Sequence, residues 1–403
     1  MSEAPTKPAL TPLDDALAAL LAQVQPLAGQ ETLPTAAARG RVLATDLVSP
    51  VDVPPADNSA MDGYALRAAE AGQALPVTQR IPAGHLPQPL AAGEAARIFT
   101  GAQLPPGADS VVMQEHTELA DGRVRVTEPV RPGQHVRLRG EDVRAGSVAL
   151  PVGTRLDAVA LGLAATAGAA ELTVTRRPRV ALFSTGDELV MPGQPLPPGA
   201  IYNSNRFTLR ALLEGLGCEV VDLVIVPDRL EATRAALREA AARADVILTS
   251  GGVSVGEEDH LKPAVQAEGR LELWAIAIKP GKPFAYGKVG AAHFIGLPGN
   301  PVSSLVTFLV LVRPLLLKLQ GATRLAPRGY RIPAGFDWPR PDKRREFLRV
   351  RLDEASGLAL FGNQSSGVLT SAFWADGLLD NPPGQAFQAG DAVRFLPFSE
   401  LLS

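Results

Sequence analysis

Cysteine is almost missing: the 403-residue chain has one, Cys218. That excludes an internal disulfide and any metal site built from a cysteine cluster. Cys218 follows a helical pattern and precedes a strand pattern, so it reads as a packing residue. A chain so poor in cysteine suits a reducing compartment, which makes the cytoplasm the expected location. Long apolar runs are also lacking. The longest, around Leu305 to Leu319, is broken by Arg313 and Pro314 and does not read as a membrane span. The segment MSEAPTKPAL has no basic stretch leading into an apolar core, so no secretory signal is expected. There is no excess of positive charge: the net charge is −3, which argues against a general nucleic-acid binder. Three common nucleotide and metal motifs are missing: G-x-x-x-x-G-K-[ST], G-x-G-x-x-G opening a helix after a strand, and H-E-x-x-H.

What is present is globular in composition, 46% hydrophobic and 20% charged, and long enough for two to four domains. A helix is expected over residues 11 to 25. Thr11 would be its N-cap, Pro12 its first residue and Asp14 the capping-box acid, with Leu17, Leu20, Leu21 and Val24 on one face. TAAARGRVLATDL reads as a second helix, and Thr154 to Gly168 as a third with a Thr-x-x-Asp box. Between Pro50 and Gly146, short runs such as ARIFT, SVVMQE, RVRVTE and HVRLR alternate with Gly and Pro, the texture of an inserted β domain. From Arg179 the strands VALFS, VVDLVIV and DVILT alternate with helices at about Ser204–Leu216 and Leu230–Ala244. LWAIAI, a hairpin PFAYG–KVGA–AHFIG and a long helix over Val302–Leu319 follow. That alternation implies a mostly parallel sheet. The last segment shows short strands, turns and no convincing helix, as in a small β-barrel or sandwich. The expected division is therefore 1–50 with 145–177 as a helical region, 51–144 as an inserted β-rich domain, 178–326 as an α/β domain, and 327–403 as a C-terminal β-barrel.

In an open α/β sheet, ligands bind outside the carboxyl ends of the strands. The segments at those ends are STGDEL, PD, SGGVSVGEED, KPGKP and LPGNP, all of one character. They carry two chemistries. Ser250, Gly251 and Gly252 can turn successive N–H groups toward one point as an anion nest, and Lys279 and Lys282 bracket Pro280 and Gly281. Lys262, Lys279, Lys282 and Lys288 also concentrate most of the chain's few lysines in one short segment. Against these stand Asp187, Glu188, Asp228, Glu257, Glu258 and Asp259. Carboxylates beside an anion site repel the ligand unless a cation lies between, and a hard ion such as Mg²⁺ is the natural bridge. GVSVG also matches the G-x-S-x-G hydrolase elbow. Ser254, however, is separated from its strand by Ser250-Gly251-Gly252, and only His260 and His293 lie downstream, neither in a usual triad position.

These segments belong to an ordered set: VPPADNSAMDGYA at 53–65, FTGA at 99–102, RGED at 139–142, ALFSTGDEL at 181–189, YNSNR at 202–206, TSGGVSVGEED at 249–259, IKPGKPFAYG at 278–287 and GLPGNPVS at 296–303. The set resembles the molybdopterin molybdenumtransferases, the bacterial MoeA and gephyrin E-domain family, nearly end to end. The resemblance implies an α/β plus β multidomain chain: an N-terminal helical segment, an inserted β domain, an α/β domain that binds the pterin, and a C-terminal β-barrel. It implies insertion of molybdate into adenylylated molybdopterin with loss of AMP, a requirement for Mg²⁺, and an elongated homodimer with shared clefts. It further implies catalytic roles for Asp62, Asp142, Glu188, Asp228, Asp259 and Lys279, with Glu188, Asp228 and Asp259 toward the metal. Binding roles fall on Thr100, Ser250, Gly251, Gly252, Lys282, Pro298 and Pro301. Arg349 and Ser371 align with residues proposed to hold molybdate. Asp62, Thr100 and Asp142 would come from the partner side of the cleft. Implied partners are molybdopterin adenylyltransferase and recipient molybdoenzymes, with neither nucleic acid nor membrane. Two departures stand out: Ala275, where relatives often have a basic residue, and Asn203, where they usually have Asp. A molybdopterin adenylyltransferase and a non-catalytic cofactor-binding scaffold remain as alternatives.

Overall fold

The chain is described over residues 10–252 and 260–402 by a computed structural model. Its centre is a six-stranded sheet. In chain order the elements are β1 (Arg179–Thr185), α1 (Ser204–Gly215), β2 (Glu219–Val226), α2 (Leu230–Arg243), β3 (Val246–Ser250), α3 (Leu261–Glu268), β4 (Gly269–Ala275), β5 (Ile278–Lys279), β6 (Pro283–Val289) and β7 (Ala292–Leu297). The spatial order is β2-β1-β3-β7-β6-β4, with β5 elsewhere. β6 runs against both of its neighbours, and the other five strands share one direction, so the sheet is mostly parallel as the alternation requires. The central strands are apolar throughout because both faces are covered: Val246, Ile247 and Leu248 are fully buried. Cys218 is buried at the α1–β2 turn, where burial pushes its thiol up to about 12 and leaves it inert.

After β7 a helical run covers Pro301–Leu319, with 89% of its most apolar window buried in the protein. It is a core helix that fills one face of the sheet. Its middle turn, Phe308–Val312, is π-helical between two α-helical pieces. The widened turn contains Val310, four residues before Pro314, which lacks an N–H and whose ring crowds that carbonyl.

Residues on either side of the inserted domain differ from expectation. The first helix is Leu13–Ala22, and Pro12 rather than Thr11 precedes it without a side-chain cap. Thr11 instead pairs with Ile276, donating its N–H to Ala275 O and accepting from Ala277 N, so the central domain claims its backbone. TAAARGRVLATDL forms one 3₁₀ turn at Thr35–Ala37 and then extended bridges, because Val42 and Leu43 pair with Arg155 and Val174. The third helix is Ala158–Thr166, capped by the Asp157 carboxylate on Ala160 N–H; Thr154 only turns its hydroxyl to Pro151 O. The expected helical region also holds two small sheets, Gln30–Pro34 with Glu171–Thr175 and Leu47–Val48 with Val148–Leu150.

The inserted segment is β-rich, with a six-stranded sheet that includes Gly63–Leu66, Ala95–Ile98, Ser110–Met113 and Arg123–Val126. The C-terminal module contains β8 (Tyr330–Pro333), β9 (Arg345–Asp353), β10 (Gly357–Leu360), α4 (Leu369–Trp374), β11 (Gly377–Asn381) and β12 (Ala392–Pro397). Two short helices therefore occur where none was expected, α4 and Phe398–Leu401. α4 has 6 residues, fewer than two turns, too short to carry a periodic signal. β5 of the central domain adds to this second sheet alongside β9, pairing Ile278 with Arg345 and Lys279 with Glu346.

Candidate active site

The carboxyl edge of the central sheet opens into a cleft of about 430 Å³. Four of the five expected loops reach it. Thr185 and Glu188 come from the β1 end, Ser250 and Gly251 from the β3 end, Pro283 from the start of β6, and Pro298 to Pro301 from the β7 end. Register explains the convergence: Ser250 pairs with both Ser184 and Leu297, so three strand ends stop level. Asp228, at the end of β2, is not among the lining residues. Asp259 and Ser254 lie outside the described residues. His293, the other candidate hydrolase partner, is buried in β7 with Nδ1 2.8 Å from the Tyr286 hydroxyl, and burial pushes its pKa down to about 4. It has no access to the cleft edge.

Glu188 is exposed, and its carboxylate has no hydrogen-bond partner among the described residues. It folds back over Gly186, where a Cβ would come within 2.5 Å of Glu188 Oε2. Gly186 has φ of 145°, a conformation essentially restricted to glycine. The loop thus needs glycine for its backbone; the exposed Glu188 carboxylate could swing aside from a Cβ.

The anion nest requires correction. Gly251 and Gly252 do adopt successive positive φ values, 93° and 65°. But the Gly251 N–H donates to Leu297 O at 3.0 Å, extending the β3–β7 ladder past the strand ends. It cannot also serve a ligand. Of the expected group, Ser250 contributes a buried hydroxyl 3.5 Å from Ser184 Oγ, and the Gly252 amide is the remaining glycine donor.

The lysines divide. Lys282 is exposed beside Pro283, its backbone oxygen accepting from Ile276 N–H at 2.8 Å. Lys279 turns toward the C-terminal module. Its ammonium is 3.2 Å from Glu346 Oε1 and 3.5 Å from Asp342 Oδ2. Glu346 is fully buried, and its other oxygen accepts from Trp338 Nε1–H at 2.7 Å and Asp342 N–H at 3.1 Å. Nothing in the sequence spacing identifies that counter-ion, 67 residues away.

Arg349 and Ser371 do come together: Arg349 Nε donates to Ser371 Oγ at 3.2 Å. Arg349 is 1% exposed, and a second donor bonds Phe347 O. Its Nη2 is buried with no acceptor, and no carboxylate among the described residues pairs with it. Burial alone pulls its pKa down to about 10. The pair adjoins the cleft through the helix Pro301–Thr307. α4, which carries Ser371, packs against that helix, and Val302 N–H donates to Ser366 O at 2.9 Å. Gly281 of the lysine loop lies on the same helix, since a Cβ there would fall 2.4 Å from Thr307 Oγ1.

Asp62 and Thr100 are paired in the inserted domain. The Asp62 carboxylate accepts from both Thr100 N–H and its hydroxyl at 2.7 Å, and these bonds hold its pKa below the usual range. Neither they nor Asp142 line this chain's cleft. Sequence reasoning in turn gave no site role to Tyr202, Asn205 and Ser303, which line the cleft together with Asn203, noted in the sequence as a departure. Asn203 Oδ1 caps α1 by accepting from Arg206 N–H, and Asn205 Nδ2 donates to Gly299 O at 2.7 Å. The YNSNR segment was the available signal, a pair of amides opening a helix.

Family models match three consecutive stretches: the MoeA N-terminal region (domain I and II) at 11–168, a probable molybdopterin binding domain at 181–318, and the MoeA C-terminal region (domain IV) at 331–398. An α/β chain with its cleft at the strand ends and flanking β modules is the class these observations define. The chain belongs to the molybdopterin molybdenumtransferase (MoeA) family. It is 41% identical to the molybdopterin molybdenumtransferase of Haemophilus influenzae, covering 97% of this chain and 99% of that one. It is 39% identical to that of a Nostoc species, covering 87% and 84%. A solved molybdopterin biosynthesis MoeA protein from Pyrococcus horikoshii superposes with a TM-score of 0.83 at 29% identity over 96% of this chain and 100% of that chain.

Proposed function

We propose that the protein is a molybdopterin molybdenumtransferase, inserting molybdenum from molybdate into adenylylated molybdopterin with release of AMP. The observation that carries the reading is Arg349. A guanidinium buried without a carboxylate is costly, and an oxyanion beside Ser371 would offset that cost. Lys282 and the Gly252 amide, each next in sequence to a cleft-lining residue, Pro283 and Gly251, would reach the substrate's phosphates from the rim. Both substrates are anions, so cations and fixed N–H groups must offset their repulsion as they approach.

Among the described residues no group of three or more His, Cys, Asp or Glu could hold a metal alone. Mg²⁺ keeps several waters and takes one or two carboxylates with substrate phosphates, and Glu188 places one carboxylate, unpartnered among the described residues, in the cleft for it. Glu188 is the carboxylate among the described residues that would hold it at the cleft; Asp228 stands off the cleft lining, and Asp259 lies outside the described residues. Bound there, the ion would neutralise phosphate charge; Glu188 would hold it and have no nucleophilic part. The test is molybdate-dependent AMP release from adenylylated molybdopterin. Adenylylation of free molybdopterin with ATP at a catalytic rate, without molybdate-dependent AMP release, would reassign the protein as an adenylyltransferase.

A homodimer with shared clefts is part of this proposal. It is supported by the exposure of Asp62, Thr100 and Asp142 away from this chain's own cleft. Mixing inactive Asp62→Ala and Glu188→Ala subunits should restore part of the activity, because a heterodimer keeps one intact cleft. Heterodimers that form yet stay inactive would remove the shared cleft. The bridge Ala334–Leu358, joining the end of β8 to β10, supports reading the C-terminal module as a closed barrel. The cytoplasm is the proposed location, with molybdopterin adenylyltransferase supplying substrate and molybdoenzymes receiving the product.

Ala275 ends β4 directly across from Pro283, a cleft residue. Opposed residues on adjacent strands have Cβ atoms about 5 Å apart, so a longer side chain at 275 would reach the cleft rim. Ala275→Lys should lower the apparent KM for molybdate by roughly tenfold, the scale of 1.4 kcal/mol. The gain should be greatest at low ionic strength. An unchanged or higher KM in a folded variant would mean that the cleft is built around the alanine.

A further inference from the structure

We propose a second anion-binding site, separate from the cleft, in a 330 Å³ pocket lined by Arg39, Arg155, Arg313 and Arg324 and taking a small phosphate-bearing molecule. Three parts of the chain build it. Arg39 and Arg155 come from the region flanking the inserted domain, Arg313 from the core helix, and Arg324 from the connection into the C-terminal module. None of these residues lines the cleft.

The charge is unbalanced. Asp157 is the carboxylate lining the pocket, and its Oδ1 already accepts from Ala160 N–H at 2.8 Å as a helix cap. Glu400 approaches from one side and pairs with Arg324 at 3.1 Å while accepting also from Arg328 N–H. Four guanidinium groups thus face two carboxylates, both committed elsewhere in part. Arg313 is 6% exposed and spends donors on two backbone carbonyls, Leu325 O and Glu400 O. Arg155 donates to Gly215 O at 3.2 Å, and its Nε is buried with no acceptor among the described residues. Burial lowers the pKa of both; Arg155 lowers that of Arg313 further, Glu400 opposes this and Arg324 adds to it, so the cations sense one another despite that carboxylate.

Four cations held this close repel beyond what Glu400 and Asp157 offset, and the fold does not require them for carbonyl capping, which neutral amides could supply. An oxyanion between them removes the repulsion and satisfies the forked donors. Planar guanidinium forks match phosphate geometry. Leu156 and Leu317 supply an apolar floor beneath the arginines. That floor suits the body of a phosphate ester. The volume admits one small ligand and no polymer.

The full-length protein would be titrated calorimetrically at low ionic strength with inorganic phosphate, pyrophosphate and AMP. At least one probe should bind at a site whose Kd weakens tenfold or more in Arg155→Gln. The same weakening is expected in Arg39→Gln–Arg324→Gln, where both side chains are exposed and the fold is not at risk. The event should persist in Lys282→Gln, which addresses the cleft. AMP binding more tightly than phosphate would identify an ester resting on Leu156 and Leu317; equal affinity would identify the bare phosphate group as the ligand. No saturable binding of any probe, an affinity unchanged in both pocket variants, or loss of all binding in Lys282→Gln would overturn the proposal. The site is independent of the proposed reaction, since binding is read without turnover.

Discussion

Arg349→Met should lose molybdenum insertion by about 100-fold or more while leaving the ligand-free protein as stable as the parent or slightly more so. The activity loss follows the scale for removing a preorganised charged donor from an oxyanion. The stability result follows from burial. Arg349 is 1% exposed, lacks a carboxylate among the described residues, and leaves Nη2 unsatisfied. Replacing a buried charge with an apolar side chain of similar length is neutral or stabilising by ~1–4 kcal/mol in comparable cases. Against that, Phe347 O would lose its donor, costing about 1–3 kcal/mol, while Ser371 keeps its own bond to Val368 O. The two nearly cancel. Thermal melts with and without molybdate check both halves: the parent should be stabilised by molybdate and the variant should not. A variant that melts several degrees lower and still inserts molybdenum would make Arg349 a structural residue.

The central domain was legible because its signals are local. Strands of β-branched residues alternate with helices, and Gly/Pro loops fall where a parallel sheet puts ligand-contacting segments, so Glu188, Ser250, Pro298 and Pro301 meet as expected. The errors share a cause in backbone pairing between distant segments. Thr11 looked like a helix cap but pairs with Ile276, and Val42 and Leu43 were read as helix but form bridges. Tertiary pairing overrode local propensity at each place. Gly251 is the same error at the site, since its N–H belongs to the ladder with Leu297. The Arg349–Ser371 contact was legible only through family resemblance, as the two residues stand on different elements with no spacing rule between them.

Lys279, expected from the family resemblance to act at the site, also has a structural task, and a double-mutant cycle should expose it. Lys279→Met is expected to reduce insertion by about 100-fold, the loss typical of a removed charged donor. It should also destabilise the protein by about 1–2 kcal/mol. Glu346 is fully buried and would lose its cation, but Lys279 is 46% exposed, and the Trp338 and Asp342 donors remain, so the cost stays below that of a wholly buried pair. Glu346→Gln removes the buried charge while keeping an acceptor for Trp338. If Lys279 acted only by presenting charge to the substrate, Glu346→Gln would release it and raise activity. The geometry argues otherwise. β5 and β9 pair Lys279 with Glu346, and β9 carries Arg349 three residues further on. The ion pair therefore fixes the strand that holds the buried guanidinium relative to the lysine loop. Glu346→Gln should lose activity, and Lys279→Met–Glu346→Gln should be no less active than Lys279→Met alone while recovering much of its stability. Urea melts and insertion rates across the four proteins test this. Additive losses in both, or a gain of activity in Glu346→Gln, would mean that Lys279 works on the substrate without the strand.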